Sequence, residues 1–65
     1  MNTIELLEKI KENLLKRRSA IAEKMIQGRV TDFNSYHKDV GIGIGLDVSC
    51  NIIDETLTKL NEGDE

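Results

Sequence analysis

Sixty-five residues, twelve acidic and nine basic, with one cysteine and one histidine, make one domain at most, and a chain this short buries too little surface to be comfortable alone. Cys50 and His37 are too few for a disulfide framework or a closed metal site, so oligomerisation is the device left to complete a core. The longest mostly apolar stretch, residues 40–53, contains Asp47 and Asn51 and falls short of the roughly 20 residues a membrane span requires.

A lone cysteine in a chain with no cleavable signal points to a reducing compartment or an intracellularly assembled particle. The net charge of −3 conceals an asymmetry: residues 1–29 hold seven bases against four acids (+3), and residues 30–65 hold two bases against eight acids (−6). Such halves attract each other, which suits an antiparallel pair of segments and leaves less free positive charge for a nucleic acid.

Residues 3–27 contain no proline or glycine and are rich in Leu, Glu, Lys, Ala and Ile, which predicts a helix. Asn2 with Glu5 has the form of a capping box, and Gly28 stands where a left-handed C-terminal residue is wanted. Glu5–Lys9 and Glu12–Lys16 are spaced to pair along the helix surface. Ile4, Leu7, Ile10, Leu14, Ile21 and Met25 recur at three- and four-residue steps, interrupted near Arg17 and Arg18. Leu6, Leu15, Ala22 and Ile26 fall off that stripe, so the apolar surface is wider than one partner helix covers.

Residues 29–32 form a short connection in which Thr31 or Asp32 can cap the next helix, and loops of this length join antiparallel neighbours. The following segment, residues 33–60, has two readings. Residues 40–48 alternate strictly between apolar and small or polar, as a strand does. As a helix, Tyr36, Gly43, Leu46, Cys50, Ile53, Leu57 and Leu60 follow a heptad seam that Val40 widens, and Glu55–Lys59 is a further pair. No second strand-like run exists to pair with, so the helix is expected. The fold expected is thus all-α, an antiparallel αα-hairpin in a single domain over 1–65, with a frayed acidic tail at 61–65.

Glycines inside a helix cost about 1 kcal/mol each relative to alanine, so Gly41, Gly43 and Gly45 require a reason. Gly41 and Gly45 lie four apart on one face, where they either accommodate Leu14, Leu15 or Ile21 of the first helix or form a packing notch for another subunit, the remaining reading being a hinge or break at Gly43. Phe33 and Tyr36, the only aromatics, either plug the end of the hairpin against Met25 or Ile26 or anchor a partner. Ile42, Ile44, Val48 and Ile52 lie off the seam; with Leu6, Leu15, Ala22, Ile26, Phe33 and Tyr36 they are the candidate oligomer or partner interface.

No catalytic constellation is legible. The spacing of the three glycines lacks the strand, helix and lysine of a phosphate loop, which leaves no cofactor to bind. His37 and Cys50 stand thirteen residues apart, about 20 Å along a helix at 1.5 Å per residue, so they could meet only across subunits. Lys16, Arg17 and Arg18 are the one patch that could serve a nucleic acid, but without interleaved aromatics they suit a solvated face better.

The run Phe33-x-x-Tyr36-x-x-x-Val40-Gly41-x-x-x-Gly45-Leu46 resembles a pattern in short helical-hairpin proteins from the structural gene modules of tailed bacteriophages, a likeness over about half the chain. The resemblance implies helix over residues 40–48 and a small multi-copy virion component attached to capsid, portal or tail, located in the virion or host cytoplasm. Gly43, beyond the spaced pair, departs from the pattern. The function expected is non-enzymatic, through helix-mediated contacts with copies of itself or larger virion proteins, with no membrane and no small-molecule substrate. The rival readings are a free homodimeric four-helix bundle that binds RNA or a host protein, and an inhibitor of a host enzyme.

Overall fold

The computed structural model describes residues 1–63 and consists of two helices, α1 (Thr3–Ile26) and α2 (Phe33–Glu62), packed on one another as a hairpin. Residues 40–48 are helical without interruption, so the strand reading falls. The frayed tail expected from residue 61 is not found there, because α2 runs through Asn61 and Glu62 to a left-handed cap at Gly63, φ 77°; residues 64 and 65 lie outside the described residues.

Each helix start is held by the residue the sequence offers. The Glu5 amide donates to Asn2 Oδ1 at 2.8 Å while Asn2 Nδ2 donates to Glu5 Oε1 at 3.2 Å, a reciprocal cap. Of the two candidates for the second cap, Asp32 is the one used: its carboxylate accepts from the Ser35 amide at 2.8 Å and the Ser35 hydroxyl at 2.9 Å. These bonds hold the Asp32 carboxyl below its ordinary value, the backbone amide of Ser35 being the larger cause. At the end of α1, Gly28 takes φ 71°, with its amide donating to Met25 and that of Arg29 to Lys24, the double bond of a Schellman motif.

The register is fixed by cross-helix ion pairs. Lys11 Nζ lies 2.6 Å from Asp54 Oδ1 and Arg18 Nε donates to Asp47, so seven residues forward on α1 correspond to seven back on α2. Lys24 lies 3.0 Å from Asp39 about two turns further on. In that register α1 presents Ile4, Leu7, Lys11, Leu14, Arg18, Ile21 and Met25, an unbroken heptad seam in which the two cations are members. The stripe expected from the sequence placed Ile10 in that seam. Ile10 is instead exposed and Lys11 half-buried, because one residue turns the side chain about 100° around the axis.

The hairpin measures 47 × 19 × 13 Å, one helix thick and two wide. A layer of that kind can shield only the line where its helices touch. Among the described residues Cys50 is accordingly the only buried apolar one, at 6% exposure, midway along the seam. The chain exposes 5038 Å², whereas a compact protein of 7.3 kDa exposes about 4,200 Å².

Candidate interaction surface

The side chains that carry chemistry do not converge. His37 is exposed near the start of α2 and Cys50 is buried on the far side of the same unbroken helix. Among the described residues no group of three His, Cys, Asp or Glu could hold a metal ion, and no helix is long and apolar enough to cross a membrane. A groove of about 230 Å³ runs between the helices, walled by Ile21, Ala22, Met25, Val40 and Ile44 with Arg18, Asp39 and Asp47 at its polar edge.

Asp39 is a feature the sequence reading missed. It occupies a heptad position of the α2 seam, four residues before Gly43, and is 6% exposed. Lys24 neutralises it at 3.0 Å, but Oδ2 accepts no hydrogen bond of ordinary geometry, so the pair is an ionic contact at the upper end of the groove. Its place was legible: stepping back by the heptad from Leu46 and Gly43 reaches position 39. A charged residue there reads as a gap in an apolar pattern, beside which Val40 widens the seam.

The basic patch is largely engaged. Lys16 lies 3.4 Å from Glu12 and Arg18 is bonded to Asp47 across the hairpin; Arg17 has no ion-pair partner among the described residues. Glu12–Lys16 forms as the spacing predicts, whereas Glu5–Lys9 does not: Glu5 is drawn to the cap and Lys9 lies nearer Glu12, at 3.9 Å. Nor is a Glu55–Lys59 ion pair formed among the described residues. Asp54 raises the Lys11 ammonium above its ordinary value, chiefly by its hydrogen bond.

What remains is apolar surface. The aromatics do not plug the hairpin: Phe33 is 73% exposed and Ile26 84%, because α1 has ended before the level that Phe33 occupies. Phe33 instead meets His37 edge to face, ring centroids 4.3 Å apart, and Tyr36, also exposed, has its ring 5.8 Å from the same imidazole. The glycines do not accommodate α1 either. A Cβ built on Gly41, Gly43 or Gly45 meets nothing within 4 Å.

Of the other candidate interface residues, Val48 (51%) and Ile52 (57%) line the face of α2 turned from α1, continuous with Gly41 and Gly45, and Ile44 (59%) stands at the edge of that face, where it also walls the groove. Ile42 is exposed on one flank of α2, as Leu6 and Leu15 are on the flanks of α1. Ala22 is half-buried rather than free, since it forms a wall of the groove. Compared with known proteins, the chain matches no family model, no curated protein and no solved structure.

Proposed function

We propose that the protein acts without chemistry of its own, as a helical-hairpin module whose exposed apolar faces are covered by other protein surface. The observation that carries this reading is the middle of α2. From Val40 to Ile53 its only charge is Asp47, and apolar side chains point both toward α1 and away from it. A helix apolar on opposite faces is an interior helix, yet in the single hairpin one of those faces meets water. The surface in excess of a compact protein, about 800 Å², is also what one partner contributes to a standard interface.

A multi-copy component of a bacteriophage particle is the form of this role favoured by the resemblance of residues 33–46. The nucleic-acid alternative has less support, because Lys11, Arg18 and Lys24 serve the hairpin itself. The test is far-ultraviolet circular dichroism with light scattering on the purified chain over a dilution series. Helix content should fall, or melting become non-cooperative, once the chain is dilute and monomeric. A dilute monomer that remains helical and melts cooperatively would overturn the reading, since nothing would then be missing from the fold.

A further inference from the structure

We infer that the partner of the outward face of α2 is the same face of a second copy, packed antiparallel, with Val48 and Ile52 of each chain seated over Gly45 and Gly41 of the other. The inference rests on the interaction reading above and names its partner. Three observations on that face point to a copy of the chain rather than to an unrelated surface.

The first is shape. Gly41, Gly45, Val48 and Ile52 follow one another at steps of four, three and four residues, so they form a single stripe along the helix. Its first half has no side chains and open space above the backbone; its second half carries two branched side chains that are more than half exposed. Reversed on itself, the stripe is complementary. The register that sets Gly41 level with Ile52 of the partner also sets Gly45 level with Val48, because the numbers sum to 93 in both pairs. Large residues then meet notches throughout, and the backbones approach closely, as small residues four apart permit.

The second is charge. Within the stripe there is none, and at its ends the same register brings Glu55 of each copy beside the His37–Lys38 turn of the other. Lys38 and Glu55 are exposed and have no ion-pair partner among the described residues. Asp47 is the acid nearest the two-fold axis, where it would face its own copy. It is turned instead toward α1 and held by Arg18, so like charges do not oppose.

The third is the division of labour between the helices. The product is a four-helix assembly whose inner members are the two copies of α2, apolar on both faces, and whose outer members are the two copies of α1. The face of α1 turned away from α2 carries Glu5, Glu12, Lys16 and Glu23, all exposed, as an outermost helix requires.

The test is sedimentation equilibrium on the full chain and three variants, with circular dichroism on each. Gly45→Leu places a side chain in space that the single hairpin leaves open, at a position where glycine is the poorer helix former, so the folded chain itself is not harmed. It should weaken association by about tenfold or more, the scale of forcing bulk into a filled contact. Glu55→Lys should weaken it by about two- to fivefold at low salt, and Lys38→Glu with Glu55→Lys should restore it.

Association unchanged in Gly45→Leu would overturn the inference. So would a Glu55→Lys chain that associates as well as the wild type, which is what parallel pairing predicts, since Glu55 would then face Glu55. A wild-type chain monomeric at every concentration overturns it as well. If that monomer is poorly folded, the interaction reading survives with a different partner; if it is cooperatively folded, both fall together.

Discussion

Along α2, the face that meets α1 and the face turned from it carry similar apolar side chains but stand in different circumstances. Leu46, Cys50, Ile53 and Leu57 are half-buried or buried against α1, whereas Ile44, Val48 and Ile52 are exposed. The glycines divide in the same way, Gly43 toward the seam and Gly41 and Gly45 outward. Composition alone therefore does not say which of two apolar faces a chain uses for itself. The companion helix decides it: α1 offers one heptad seam with Lys11 and Arg18 as members, and those cations find Asp54 and Asp47 on only one side of α2.

The largest way to break this contrast is to place the same charge on each face in turn. Cys50→Asp buries an unpaired carboxylate in the seam, at a cost of at least about 3 kcal/mol, more than a two-helix layer can lose; circular dichroism should show the helices gone at any concentration. Val48→Asp, two residues away, should leave the helix content of the dilute, monomeric chain as it is in the wild type, as exposed substitutions do, while abolishing self-association.

Next in size is the cap on α1. Asn2→Ala removes the acceptor for the Glu5 amide and should cost about 1 kcal/mol, read as a lower midpoint in a urea melt with an unchanged slope.

Gly43→Ala sharpens the contrast from the other direction. Beyond the local backbone of its own helix the added Cβ meets nothing within 4 Å, and the backbone is helical, so the change should stabilise the hairpin by about 0.5–1 kcal/mol. Being on the seam side, it should leave the association constant alone, unlike Gly45→Leu.

The smallest expected effects are those of pH. The Asp32 carboxyl titrates below its ordinary value of 3.8, so what it adds to the start of α2 is present above that value and is lost as pH falls through the lowered one. Lys11 runs the opposite way: its contribution is present below the ordinary 10.5 and is lost as pH rises through the raised value. Neither should alter which face of α2 meets α1, and a melt followed across both ranges checks this.

Most of the hairpin was legible in the sequence because its ends are marked by local chemistry. Asn2 with Glu5, Gly28 and Asp32 each act within a few residues of themselves, and they fall where the sequence puts them. Cys50 was legible as a seam residue by heptad spacing. Of the charged members, Asp39 falls on the heptad step but reads as a gap in it, and Lys11 and Arg18 read as interruptions until an opposite charge on the other helix explains them. The aromatic end was misjudged for a related reason. Whether Phe33 has a neighbour depends on where α1 stops relative to it, which is a matter of three-dimensional register.

Cys50 has one more consequence. A single thiol shielded midway along the seam is a native reporter of fraying between the two helices. Its rate of modification by a soluble disulfide reagent measures how often that seam parts, independently of whatever lies against the opposite side of α2.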